Sequence, residues 1–302
     1  MNDGAIQLNR QPTRLVCHIT LLLLALAYAC PAALPLNSQE AKTFTGFTLV
    51  RQVTDYDKAG KALPAYTETL YVSSSGDWRY VGSYPNSQIV ETIYLCGRGV
   101  FFSDHRNRQL VKFGEVGAGR PSPTTAERLQ ADPKFIRTEY VLGRLAYLHR
   151  RDIDGYIEET YFAPELGPFP FKRISHYDGN KRVEEPESLT FGEPEASQLR
   201  GGDYPLVEQK PVYDPKLSGR IEEKPDPKYP PEARAAGIYG EVELQLVVDE
   251  LGQVIRAVVI RSLPLLAEAA IEAAYRARFS PAEREGKIIK VTGLITYKFS
   301  PR

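Results

Sequence analysis

The sequence predicts an α+β protein: an antiparallel, β-rich, half-barrel-like domain, then a small two-layer domain with a three-stranded antiparallel sheet and two helices. Three observations carry this. Between Phe44 and about Phe191, short alternating apolar runs recur, separated by turn dipeptides such as Asp154-Gly155 and Asp178-Gly179. A Pro-rich stretch follows from Glu185, with Pro186, Pro194, Pro205, Pro211, Pro215, Pro225 and Pro227. After it the periodicity runs helix, strand, strand, helix, strand to the C-terminus. A chain of 302 residues has two domains as its prior. The expected division is 1–29 signal peptide, 41–192 β-rich domain, 193–227 linker and 228–302 C-terminal domain.

Composition narrows the function classes. Lys and Arg number 38 against 38 Asp and Glu, so there is no basic footprint for nucleic acid. Cys17, Cys30 and Cys96 form no C-x-x-C pair, which suggests neither a zinc site nor a redox couple. Cys96 sits in an apolar strand pattern and reads as a buried free thiol. His18, His105, His149 and His176 are scattered without metal-ligand spacing, and no G-x-S-x-G is present. Gly114, Gly117 and Gly119 lead into Pro121 and form no dinucleotide loop. Asp152, Asp154, Glu158 and Glu159 read as turn and strand-face carboxylates. The expectation is a non-enzyme that needs no cofactor.

At the N-terminus, Arg10 and Arg14 precede an apolar run from Leu15 to Ala29, and Ala27-Tyr28-Ala29 makes a cleavage signal. The run gives about 22 Å of helix, short of the ~20 residues a span needs, and Pro31 and Pro35 stop any extension. The primary reading is an exported, periplasmic protein. The alternatives are lipidation at Cys30 and an uncleaved inner-membrane anchor.

The strands follow in order. Phe47–Val50, Glu68–Ser73, Trp78–Val81, Ile89–Leu95, Gly99–Phe102 and Leu110–Phe113 form the first run. Thr124 or Thr125 caps a helix through Ala131, with Leu129 facing inward. Phe135–Leu142, Gly143–His149, Tyr156–Phe162 and Phe171–Tyr177 form the second run. From Glu185 to Lys228 the chain reads as Pro-rich linker, whose Tyr204, Leu206, Val207 and Tyr213 offer apolar contacts to the domains.

In the C-terminal stretch, Pro230 and Pro231 open a helix from Glu232 to Ala236 that Gly237 stops. Glu241–Val248 alternates as a half-buried strand, with Val242, Leu244, Leu246 and Val248 inward. Asp249 to Gly252 turns into a strand from Gln253 to Ser262. Ser262 caps a helix to about Arg278, with Leu266, Ala270, Ala273, Ala274 and Ala277 as its stripe. The last strand puts Ile289, Val291, Ile295, Tyr297 and Phe299 on one face, with Gly293 interrupting it. Its outer border is expected to stand open, a template for an added strand or for exchange between two copies.

This series resembles the TonB C-terminal domain. The resemblance rests on Tyr229-Pro230, Ala233-Arg234, Gly237-Ile238, Gly240-Glu241-Val242, Val248-Asp249, Gly252-Gln253-Val254, Ser262, Ala269-Ala270, Phe279-Ser280-Pro281-Ala282, Gly286-Lys287 and Tyr297-Lys298-Phe299, in that order. It implies that the domain takes the extended TonB-box peptide of an outer-membrane receptor by strand addition. It implies Tyr229, Pro230, Val291, Gly293, Ile295, Tyr297 and Phe299 as partner-binding residues. Many members have Trp where Ala277 stands here. Members that couple to the ExbB–ExbD motor carry an anchor with a His, for which His18 is the candidate. Their Ser four residues earlier is replaced by Arg14, which puts that coupling in doubt. The phrase from Glu159 to Gly167 resembles LolA-like β-rich periplasmic domains and implies a concave apolar face for an acyl chain or peptide. A lipid- or lipoprotein-binding carrier, or a scaffold with a docking domain, is therefore the alternative function.

Overall fold

The computed structural model describes residues 44–83, 89–104, 107–114, 124–153, 155–177, 179–200, 203–235, 237–262 and 265–300. The signal-peptide reading, Cys17, His18 and Cys30 lie outside them. The first meander contains β1 (Phe47–Tyr56), β2 (Tyr66–Val72), β3 (Trp78–Ser83), β4 (Ile89–Leu95), β5 (Gly99–Asp104) and β6 (Gln109–Gly114). A short helix α1 (Ala126–Ala131) follows, N-capped by Thr125, with Leu129 turned inward as expected. The second meander contains β7 (Phe135–Val141), β8 (Arg144–Ile153), β9 (Tyr156–Phe162), β10 (Pro170–Tyr177) and β11 (Asn180–Phe191). The first and last of these strands, β1 and β11, pair along their whole length and join the meanders into one antiparallel sheet.

β11 was not expected as a strand: five of its twelve residues are charged, and Pro186 lies within it. Pro186 sits where the β1–β11 register shifts between Val50 and Arg51. A bulge is a place where a sheet tolerates a residue without an N–H.

The inner face of this sheet is filled in three ways. In its middle, Phe47, Leu49, Leu70, Trp78, Tyr94 and Leu148 surround Ala163, Leu166 and Phe169 from the β9–β10 turn. The Phe169 ring meets Phe47 edge-on at 5.7 Å. Farther along the same strands, the face carries charge. Arg51 pairs with Glu68 at 3.0 Å and Glu184 at 3.2 Å. Arg173 reaches Glu184 at 3.5 Å and Glu158 at 3.8 Å, and Arg151 reaches Glu158 at 2.8 Å. The Tyr80 hydroxyl donates to Glu68. Burial, and then the neighbouring Glu184 carboxylate, push the Glu68 pKa up. Glu158, read from sequence as an ordinary strand-face carboxylate, is thus a buried member of a chain of alternating charges.

The third covering is the C-terminal sheet. It contains β13 (Val212–Tyr213), β15 (Gly240–Val248), β16 (Val254–Arg261) and β20 (Val291–Phe299), in the order β13-β20-β15-β16. Two helices belong to this part, α3 (Pro231–Ala235) and α4 (Ala267–Arg276), the first stopped by Gly237 at φ 64°. Helix α4 is shorter than the sequence suggested. Leu265 has φ 69°, a left-handed value that no helix accommodates, so α4 cannot run back to Ser262. The expected small-residue stripe does face the sheet: Leu266, Ala270, Ala273, Ala274 and Ala277 are fully buried.

The other face of the C-terminal sheet packs on the large one. Val247 and Ile255 join Phe102 and Val111 in one cluster. Ladder register puts Phe102 on the same face as Val100, Tyr94 and Thr92, which is the inner face. The β15–β16 register shifts beside Val247 and Val248, which leaves Ile255 as an extra residue and lets Ile255 and Arg256 both reach this contact. The Arg256 guanidinium lies in the corner formed by the edge-on Phe102 and Phe113 rings, 4.8 and 4.7 Å from their centroids. Burial pulls its pKa down to about 10. The apolar concave face implied by the LolA-like phrase is therefore covered by the protein's own chain. Outside it, helix α2 (Ala196–Arg200) packs near β3, and β12 (Leu206–Val207) pairs in parallel with β6.

Candidate strand-docking site on the C-terminal sheet

The site is built around β20. Its ladder with β15 runs without a shift from Val248↔Val291 to Gly240↔Phe299. Alternation turns Val291, Ile295, Tyr297 and Phe299 toward α4, where each is under 5% exposed. Their side chains form the floor of the site and are closed to a partner. The backbone groups that point away from β15 belong to the intervening residues, because the Lys290 and Thr292 carbonyls accept from outside the β15 ladder.

That border is not open, as the sequence reading expected. The stretch taken for linker runs along it. Val212 donates its N–H to the Lys290 carbonyl at 2.9 Å, and Asp214 donates to Thr292 at 2.8 Å. This makes β13 a parallel fourth strand. A 3-10 turn, Leu217–Arg220, follows and sets Leu217 into the small core at 1% exposure. Gly293 faces this turn: a Cβ there would lie 2.6 Å from the Asp214 carbonyl and 2.7 Å from Leu217. The interruption read in the packing face is therefore a crossing point for the linker. Arg220 clamps the turn to Asp214 at 2.7 Å. Burial pushes the Asp214 carboxyl up, but the Lys216 N–H and then the Arg220 guanidinium outweigh it and hold it below its usual range. Next, β14 (Ile221–Glu223) pairs with β17 (Arg278–Phe279). Lys224 then reaches the Thr296 carbonyl with its ammonium at 2.7 Å, over the face of Tyr297. The physical reason sequence missed this is length: two residues of strand and one buried leucine are too short for a periodicity.

Tyr229 and Pro230 form the elbow at the domain's entrance. The Tyr229 hydroxyl donates to the Ile238 carbonyl at 2.7 Å, and its ring meets Phe299 edge-on at 5.6 Å. Arg234 lies over the other side of that ring at 5.2 Å. The Pro230 carbonyl accepts the Arg234 N–H, the first bond of α3. After α4 comes a short hairpin, β18 (Ala282–Arg284) and β19 (Lys287–Ile289), joined by Glu285 and Gly286 at positive φ. On the sheet's far border, the Ala257 N–H of β16 is met by the Tyr275 hydroxyl at 3.3 Å. Gly252 closes the same corner, where Phe279 donates to its carbonyl and a Cβ would lie 1.8 Å from the Phe279 oxygen.

A buried small-residue helix on a sheet, entered by a Tyr-Pro elbow and closed by Gly252, is a specific pattern. Residues 225–301 match the family of the Gram-negative bacterial TonB protein C-terminal. The TonB C-terminal match begins at Pro225, so β13, the buried Leu217 and β14 lie before it. Among curated proteins none matches the chain.

Solved structures are similar to it only distantly. PNGF-II matches at 11% identity over 69% of this chain and 45% of its own, with a TM-score of 0.34. The Pseudomonas aeruginosa MucA/MucB complex matches at 17% identity over 54% of this chain and 58% of that one, with a TM-score of 0.31. The chain thus spans about half the length of these two. The LolA superfamily protein NE2245 from Nitrosomonas europaea matches at 11% identity over 58% of this chain and 94% of that one, with a TM-score of 0.28. Likenesses this remote carry no functional argument. Among the described residues no helix is long and apolar enough to cross a membrane.

Proposed function

We propose that this is an envelope protein of TonB type, exported to the periplasm, whose C-terminal domain takes an extended peptide of an outer-membrane receptor onto β20. The observation that carries this reading is β13. A parallel strand already lies on the border, bonded through its own N–H groups to the Lys290 and Thr292 carbonyls. The border therefore has the geometry to hold an added strand, and the incoming peptide takes the place of Val212–Tyr213. Main-chain bonds supply affinity, and alternate side chains supply selection. Val291, Gly293, Ile295, Tyr297 and Phe299 serve by holding the strand flat from beneath, and Tyr229-Pro230 by fixing its C-terminal end.

The carrier alternative has less support, because the inner face it needs is covered by the 163–169 turn, ion pairs and the C-terminal sheet. The test is a titration of a TonB-box peptide into the full chain and into Val212→Pro, which removes one linker N–H. Binding by both, tighter in the variant, is the expected result. No binding by either, or equal binding by both, overturns the assignment to β20.

A further inference from the structure

The sheet ends at β7, which pairs only with β8 among the described residues. Its segment Phe135–Val141 reads FIRTEYV, and four of its seven residues, Ile136, Arg137, Thr138 and Tyr140, are exposed. Edges that bind nothing are blunted by charges, Pro or bulges. β7 has a bulge at Ile136, near its start, and beyond it the two charges, Arg137 and Glu139, are of opposite sign and symmetric about Thr138. We propose that β7 pairs antiparallel with β7 of a second copy of this chain, about a two-fold axis through Thr138, and makes one continuous sheet across a dimer.

Two observations specify that register. The first is backbone parity. Val141 and Arg144 flank the two-residue turn Leu142-Gly143, both at positive φ (47° and 72°). Residues flanking such a turn bond to each other, and bonded and unbonded pairs alternate along the ladder. Val141, Glu139 and Arg137 are thus engaged with β8, while Tyr140 and Thr138 turn their N–H and carbonyl groups outward. A two-fold axis at Thr138 sets outward groups against outward groups.

The second is side-chain complementarity. In that register Arg137 lies across from the second copy's Glu139, and Glu139 across from its Arg137. Within one strand Arg137 already donates to Glu139 at 2.6 and 3.0 Å, so the pairing closes a ring of four alternating charges. On the opposite face Thr138 meets its own copy at the axis, and Tyr140, 78% exposed, extends the contact toward the bulge at the second copy's Ile136. A register slipped by one residue would set inward against outward groups and lose the charge match. The contact is one strand wide, so the dimer belongs to the weak class of associations.

The test is sedimentation equilibrium of the full chain over the micromolar range. The wild type is expected to dimerise. Arg137→Glu and Glu139→Arg are each expected to weaken self-association on the order of tenfold or more, by placing like charges across the axis. Arg137 is exposed and Glu139 half-buried on an edge strand, so the thermal melt is expected to stay unchanged. An equimolar mixture of the two variants, and the double variant Arg137→Glu/Glu139→Arg, restore opposite charges across the axis and are expected to restore the dimer. A wild type that remains monomeric throughout, or single variants that associate as the wild type does, overturns the proposal.

Discussion

The two larger sheets of this protein bury their inner faces by different means. The C-terminal sheet does so with an unbroken apolar set: Val242, Leu244, Leu246, Ile295, Tyr297 and Phe299 meet the alanine stripe of α4. The large sheet starts in the same way at Phe47, Leu49 and Leu70, then changes on the same face to Arg51, Glu68, Glu184 and Arg173. The difference teaches that an inward position need not be apolar when each buried charge has an opposite neighbour. Such a network specifies partners tightly and tolerates single losses poorly, because one deletion strands a charge away from water. An apolar core loses contacts and cavity volume when it is trimmed, with no stranded charge.

The first way to break this comparison is Arg51→Ala, which leaves Glu68 and Glu184 facing each other's charge. A loss of about 3–5 kcal/mol in chemical denaturation is expected. A loss no greater than that of a surface substitution would mean the network is hydrated and the contrast false. In the apolar sheet, Leu246→Ala is expected to cost about 2–5 kcal/mol. Leu217→Ala should fall in the same range, because Leu217 belongs to that core although it lies before the family match.

A sharper probe of the boundary is Gly293→Ala. The added methyl needs the space of the Asp214 carbonyl and Leu217. A cost of about 1–3 kcal/mol is expected, together with faster amide exchange at Val212 and Asp214, measured by hydrogen exchange. Unchanged exchange would show the linker strand to be held elsewhere.

Acid should act on the large sheet through His149. Its ring nitrogen bonds the Leu129 carbonyl at 2.9 Å, and burial lowers its pKa despite the nearby Asp132. The unfolded chain takes up the proton at about 6.5, before the folded one does. Stability is therefore full above that value and falls as pH drops through it. His149→Gln is expected to flatten this dependence in thermal melts across that window. At the small end, Lys298→Ala removes an ion pair with Glu241 that is 74% and 43% exposed. It should change stability by less than about 1 kcal/mol; a larger effect would place unexpected weight on the rim of the C-terminal sheet.

Legibility followed the same contrast. Strand β15 was readable because its inward residues are apolar and the residues between them, up to Gln245, are polar, and α3 because Pro231 and Gly237 bracket it. α1 was readable because Thr125 supplies the cap and Leu129 the anchor. β11 was missed because its inward Glu184 carries the residue type that usually marks a surface. Cys96, expected to be buried, is a half-buried free thiol. In the candidate site the strand itself was found, but not which of its groups face outward, nor what already lies against them.

By itself, the sequence determined what local chemistry can determine: the strands of both meanders that alternate, the helix stripe, the turns where glycine supplies positive φ, and the family that residues 225–301 match. Tertiary structure decided the rest. It laid the linker along β20, set Leu217 in the core, seated the C-terminal sheet on Phe102 and Arg256's aromatic slot, and turned charges inward. These outcomes depend on contacts between residues far apart in the chain. A two-residue strand or a buried arginine has no pattern of its own; only its partners make the position stable.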